Sequence, residues 1–149
     1  MLSLIKPDTV IKVSSTLDKS VGKKCLVDGD PETCWTSQQG LPQCIHLTFA
    51  ERVIPQQLSL TFQGGFVGTR CSIHILPYGE QEWTILTHVY PEDVNRRQSF
   101  DLDPSEPRSL ANGVTGLKLV FEESSDFFGR ITIYDLKLEG SAIESDVGN

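Results

Sequence analysis

Four cysteines and three histidines are the residues in this sequence that could act as metal ligands or nucleophiles. Eight, nine and 26 residues separate the cysteines, so no Cys-x-x-Cys pair is present to begin a zinc site. No Gly-x-Ser-x-Gly elbow and no glycine-rich phosphate loop accompanies them. We therefore predict no active site and no bound cofactor. The residues concerned are Cys25, Cys34, Cys44 and Cys71, with His46, His74 and His88.

The segment from Asp28 to Trp35 carries side-chain oxygens at a spacing that partly matches a calcium loop. An EF-hand would need glycine at the sixth position, where Thr33 stands, and glutamate at the twelfth, where Gln39 stands. An Asx turn explains the same residues without a metal, because Asp28 would accept backbone N–H bonds and Trp35 would enter the core. We favour the turn. A structural calcium ion held by Asp28, Asp30 and Thr33 stays open as an alternative.

Composition narrows the classes of protein to consider. The chain has 149 residues, which suits one domain, and its 13 Lys and Arg against 20 Asp and Glu give a net charge of −7. That charge disfavours direct binding to nucleic acid or to an anionic membrane. The cysteines all lie in the first half, without a glycosylation sequon or a signal-peptide pattern. We expect reduced thiols in the nucleus or cytoplasm rather than a secreted protein.

Apolar and polar residues alternate in most of the segments that must position these side chains. A period of two is typical of strands with one buried face, and no long window has helical spacing. About eight such strands predict an all-β fold, an antiparallel β-sandwich of the jelly-roll kind. We predict one domain over residues 1–140 and a disordered tail over 141–149. The alternating segments are 45–49, 58–62, 73–75 and 117–121, with weaker ones at 10–15, 83–89 and 99–102.

The last alternating segment changes phase. Ile131 and the isoleucine two positions later stand at odd-numbered positions, whereas Leu136 and Leu138 stand at even-numbered ones. One extra residue must therefore be absorbed near Tyr134-Asp135, as in a β-bulge. The bulge is either a simple distortion of an edge or a device that aims the Asp135 carboxylate at a ligand.

Four motifs, taken in their order along the chain, resemble those of discoidin-like, galactose-binding-type domains. Leu26–Trp35 contains an Asp-Gly-x-x-x-Thr-x-Trp signature, Leu58–Gly64 resembles the central strand, and Leu117–Phe121 and Tyr134–Gly140 resemble the last strands. The resemblance runs over residues 10–140 and implies the same jelly-roll fold.

The resemblance also bears on calcium and on compartment. Sugar-binding relatives often hold a structural calcium through the positions matched by Asp28, Asp30 and Thr33, with a carboxylate at the position of Asp135. Secreted relatives usually close the first and last strands with a disulfide, and this chain has no cysteine after Cys71. That departure supports the intracellular branch.

Three further segments are similar to the family of small intracellular proteins associated with the testicular orphan nuclear receptor. They are Phe62–Phe66, Tyr90–Asp93 and Phe121–Arg130. The resemblance implies a nuclear repressor that binds an orphan nuclear receptor and reduces its engagement with DNA response elements. We accordingly expect a monomeric, non-enzymatic interaction module that contacts neither DNA nor a membrane directly.

Candidate partner contacts lie in loops with aromatic residues: Phe66, Phe127, Phe128 and Arg130. Adjacent residues of an extended segment point to opposite sides, so we expect one of Phe127 and Phe128 to enter the core. The other should stand at the loop end near Phe66. Arg130 is expected to pair with Asp126.

Two other functions stay open at this point. One is a calcium-supported lectin-like module for a carbohydrate or a lipid head group. The other is an assembly subunit of an intracellular complex, such as a ubiquitin ligase or a transport particle, as known for other intracellular discoidin-like domains.

Overall fold

A computed structural model describes residues 1–102 and 110–143. Over these residues helix is confined to 3-10 turns, at Lys19–Val21, at Lys23–Leu26 and at Leu110. Within the same residues, no helix has the length and apolar character needed to span a bilayer. The strands are β1 Leu2–Ser3, β2 Val10–Val13, β3 Trp35–Thr36, β4 Gln43–Phe62, β5 Arg70–Pro77, β6 Thr84–Val89, β7 Arg97–Asp101, β8 Val114–Glu123 and β9 Thr132–Ala142.

The strands form an antiparallel jelly roll whose two layers share strand β4. Its first part pairs with β2 and β8, and beyond β8 the layer continues to β5 and β6. Its second part pairs with β7 on one side and β9 on the other, and β9 also pairs with β1 and β3. A register shift between Thr48 and Val53 marks the crossing from one layer to the other. The predicted fold class is confirmed, but the alternating segments 45–49 and 58–62 lie on one continuous strand.

The core lies between the layers and follows the predicted alternation. Ile45 and Leu47 are fully buried on one face of β4, and His46 between them is on the outer face. Phe62 and Phe121 meet edge to face with ring centres 5.9 Å apart, which joins the two layers.

The predicted bulge is present in β9. Thr61 pairs with Asp135 and Phe62 pairs with Ile133, so Tyr134 is the extra residue. Strand β9 continues to Ala142, which pairs with Val53, two residues past the predicted end of the sandwich. The predicted disordered tail otherwise falls mostly on residues 144–149, which lie outside the described residues.

Candidate partner-binding surface

The loop between β8 and β9 is closed by its own hydrogen bonds. The Ser124 hydroxyl donates to the Arg130 carbonyl at 2.7 Å and accepts from the Asp126 N–H at 3.0 Å. The Gly129 N–H donates to the Asp126 carbonyl at 3.0 Å, and Gly129 has a φ of 81°, which favours glycine. These bonds make residues 126–129 a tight turn.

Asp126 and Arg130 form the predicted local ion pair. The Arg130 Nε donates to Asp126 Oδ2 at 2.9 Å, and its Nη2 donates to Oδ1 at 3.3 Å. The Arg130 backbone N–H also donates to Oδ2 at 3.0 Å. Hydrogen bonding from the guanidinium lowers the pKa of the Asp126 carboxyl below its ordinary value, so the pair stays charged at neutral pH.

Both phenylalanines of the turn face solvent. Phe127 is 94% exposed and Phe128 is 53% exposed, with their rings edge to face at 5.2 Å. The expectation that one of them enters the core is therefore wrong. They occupy the two central positions of the turn that the Gly129-to-Asp126 bond closes, not an extended segment, so neither is directed inward by strand geometry. The nearby core is already filled by Phe121 and Ile131, which are fully buried.

Phe66 supports this loop from the side. It is half-buried, and its role as a partner contact stays a prediction. The Arg130 guanidinium lies 5.2 Å from the centre of its ring and 5.7 Å from that of Phe128. Both distances are within the range of cation–π attraction. The structure thus brings Phe66, Phe128 and Arg130 together, with Arg130 between the two rings.

Leu41 belongs to the same surface and was missed in the sequence. It is 42% exposed, and the Gly40 N–H donates to the Phe128 carbonyl at 2.8 Å, which ties its loop to the turn. The sequence signal that could have identified Leu41 as a surface contact is an apolar residue between polar loop segments. We call Leu41, Phe127, Phe128 and Arg130 the aromatic tip.

The loop at Asp28 forms the predicted Asx turn. Asp28 Oδ1 accepts the Asp30 N–H at 3.0 Å, and Oδ2 accepts the Thr33 hydroxyl at 2.5 Å. These bonds, with that from Thr33 the larger cause, lower the pKa of Asp28. Trp35 follows the turn, is fully buried, and donates from Nε1 to the Ser15 carbonyl at 3.1 Å.

The residues present do not fit the calcium site that the resemblance implied. Both carboxylate oxygens of Asp28 already accept hydrogen bonds within the loop. Asp135 lines a cleft of about 470 Å³ together with Asp30 and Lys137, and the charge of Lys137 in that cleft opposes a cation. Over residues 1–102 and 110–143, no three His, Cys, Asp or Glu side chains converge as a metal site would require.

The four cysteines are free thiols. Cys71 is fully buried, and burial raises the pKa of its thiol far above the ordinary value. Burial also raises the pKa of Cys44, which is half-buried on the outer face of β4. Such thiols are poor nucleophiles.

Comparison with solved structures shows domains of the same fold. The C-terminal domain of a chitobiase from Bacteroides fragilis superposes with a TM-score of 0.75 and 19% identity, covering 95% of this chain and 99% of that one. The family 32 CBM from C. perfringens NanJ, in complex with galactose, has a TM-score of 0.73 and 16% identity, with 91% and 96% covered. At these identities the likeness concerns the discoidin-like jelly-roll fold.

Curated proteins show a closer relationship, although no protein-family model matches the chain. It is 43% identical over 141 residues to the nuclear receptor 2C2-associated protein of Mus musculus, covering 93% of this chain and 95% of that protein. The Homo sapiens protein of that name is 40% identical over 144 residues, covering 95% and 98%. The chain therefore belongs to the family of nuclear receptor 2C2-associated proteins.

Proposed function

We propose that this chain is a non-enzymatic nuclear protein that binds a nuclear receptor through the aromatic tip and reduces its engagement with DNA. The relatives' name indicates association with a nuclear receptor. The observation that supports the site is the 94% exposure of Phe127 on a loop that is otherwise closely hydrogen-bonded. An apolar group of this size gains nothing from contact with water, so a partner that covers it accounts best for its position.

The tip is suited to binding because it is already ordered. Asp126 fixes Arg130 through three hydrogen bonds, and Gly40 fixes the turn from the neighbouring loop. Binding then costs little conformational entropy, and most of the apolar area buried contributes to affinity. Aromatic residues and arginine are also the side chains that most often dominate interface energies.

Net charge supplies the physical basis for the effect on DNA. A chain of charge −7 docked near the receptor's DNA-contacting surface would oppose the phosphate backbone. The same charge makes tight binding of the isolated chain to DNA unfavourable. Repression would then act through the receptor, with the protein bound as a monomer in the nucleus.

Binding to purified nuclear receptor 2C2 by calorimetry tests the proposal. The variant F127S/F128S should lose at least about tenfold in affinity, the scale expected for interface hot spots. Tyr78→Ser is a matched control, because Tyr78 is also an exposed aromatic residue, at 52%, but belongs to a different loop and stacks on Arg52. Equal losses in both variants, or no binding by the unaltered chain, would overturn the proposal.

A gel shift separates binding from repression. The unaltered chain should lower retention of a response-element duplex by the receptor, and F127S/F128S should not. The chain alone should leave the duplex unshifted at physiological salt. Retention that is unchanged despite measured receptor binding would refute the repressor role and leave the association standing.

A further inference from the structure

Basic and titratable side chains form a row across the outer face of the first layer, which contains β2, the first part of β4, β8 and β5. Lys12 pairs with His46, His46 with Lys118, and Lys118 with His74, on the neighbouring strands β2, β4, β8 and β5. Strands are spaced about 4.8 Å apart, so the row spans roughly 14 Å. We call these four residues the basic row. None of them belongs to the aromatic tip.

Trp83, which directly precedes β6, packs against the two residues at the centre of the basic row. Its ring centre lies 4.5 Å from the Lys118 Nζ and 5.0 Å from the His46 ring, which meets it edge to face. A side chain at Gly116 would collide with Trp83, since a Cβ there would lie 2.8 Å from the indole. Glycine at this position on β8 therefore makes room for the tryptophan to lie over the sheet.

Positive charge on the row is largely unneutralised. Among the described residues, neither Lys12 nor Lys118 takes part in a salt bridge. Glu122 is the acidic residue whose charge raises the pKa of His74. Its carboxylate already forms a salt bridge with Arg70, at 3.2 Å. A protein of net charge −7 thus presents two lysine charges, one on exposed Lys12 and one on half-buried Lys118, next to an aromatic ring.

Burial and neighbouring charges shift the pKa values of the two histidines of the basic row. Burial, and then Lys118 and Lys12, lower the pKa of His46. For His74, burial and Lys118 lower the pKa, Glu122 opposes them, and the nearby His88 lowers it further. Both rings are neutral at neutral pH and gain charge on acidification, when the row becomes more cationic.

We propose that the basic row, with Trp83, docks an acidic protein segment at a second surface distinct from the aromatic tip. Charge complementarity identifies the partner's chemistry, because carboxylates along a short segment can meet the two lysines while its chain lies against the indole. A nucleic acid is the weaker candidate. A long duplex would also bring its phosphates against the remainder of an acidic molecule.

Fluorescence anisotropy with the full chain tests this proposal, using a fluorescein-labelled peptide of alternating glutamate and serine. The peptide with glutamine in place of glutamate is the probe control. The variant K12Q/K118Q should lose at least about tenfold in affinity, because both unpaired charges are removed. K23Q/K24Q is the matched protein control, with the same change in net charge at two exposed lysines of a 3-10 turn.

Salt and pH give independent measurements. Affinity for the glutamate peptide should fall between about 50 and 200 mM salt. It should rise as the pH falls below about 6.5, because the pKa values of His46 and His74 are lowered from the ordinary histidine value and the rings gain charge only there. The variant H46N/H74N should lose most of that pH response. Receptor binding through the aromatic tip should be unchanged in every one of these variants, so the two proposals fail separately.

Three results would overturn the inference. The unaltered chain could fail to bind the glutamate peptide, or bind its glutamine counterpart as tightly. K23Q/K24Q could lose as much affinity as K12Q/K118Q, which would indicate a response to net charge alone. Tighter, row-dependent binding of a DNA duplex would assign the surface to nucleic acid instead.

Discussion

Two turns of this molecule are closed in the same way, by aspartate hydrogen bonds, but the aromatic residue associated with one is buried and that of the other is exposed. Each turn is closed by an aspartate that accepts local hydrogen bonds and whose pKa is lowered by them. The aromatic residue that follows Asp28 is Trp35, which is fully buried. The aromatic residue that follows Asp126 is Phe127, which is 94% exposed.

The difference comes from where the aromatic residue lies relative to its turn. Trp35 stands beyond the turn on β3, where it pairs with Ile133 of β9, so strand geometry directs it into the core. Phe127 and Phe128 occupy the centre of their turn, and no strand orients them. An aromatic residue next to a turn can thus stabilise the fold or remain available to a partner, depending on a shift of a few positions.

The largest effect that this comparison predicts is on stability. Trp35→Ala should lower the free energy of unfolding by about 3–5 kcal/mol, because it removes a large, fully buried side chain and leaves a cavity. Denaturant unfolding measures the change. Trp83→Ala should cost clearly less, since Trp83 is half-buried on an outer face. Equal losses of unfolding free energy in the two variants would contradict the conclusion that burial of the Trp35 indole stabilises the core.

The next effect separates folding from binding within the other turn. Phe127→Ser should change the free energy of unfolding by no more than about 0.5 kcal/mol, as for other surface substitutions. Its affinity for the receptor should nevertheless fall. Thermal melting together with calorimetry checks both halves. A large loss of melting temperature would show that Phe127 is structural and would break the contrast with Trp35.

Removing the closing aspartate should have a smaller effect on stability. Asp126→Ala should cost about 1 kcal/mol, the scale of a lost capping bond with a partly exposed ion pair. It should also weaken receptor binding, because Arg130 is no longer held between the rings of Phe66 and Phe128. Asp126→Asn retains an acceptor and should recover part of the loss. If Asp126→Ala binds as tightly as the unaltered chain, the tip is not preorganised by this pair.

The smallest effect is one that the two turns should share. The pKa values of Asp28 and Asp126 are lowered on folding, so their stabilising contribution is complete above the unfolded-state pKa of about 3.9. It should be lost as the pH falls through the lowered folded-state values. Carboxyl titration by NMR should give both residues pKa values below that unfolded-state value. An ordinary value for either one would remove that turn from the comparison.

Local patterns in the sequence were sufficient for much of the fold. Alternation with a period of two identified the main strands, and its change of phase located the bulge at Tyr134. The Asp28 turn and the burial of Trp35 were also predictable, because both depend on residues close together in the chain. The placement of Phe127 and Phe128 was not, since the same two residues fit either an extended segment or a turn.

Tertiary structure alone decided which distant residues meet. Leu41 joins the aromatic tip through a hydrogen bond between separate loops, and the basic row combines residues 12, 46, 74 and 118 from four strands. In the sequence each member appears as an isolated polar residue in an alternating segment. Period-two spacing assigns a residue to a face, but only the register between strands determines its neighbours across the sheet, and that register is set by how the whole sandwich packs.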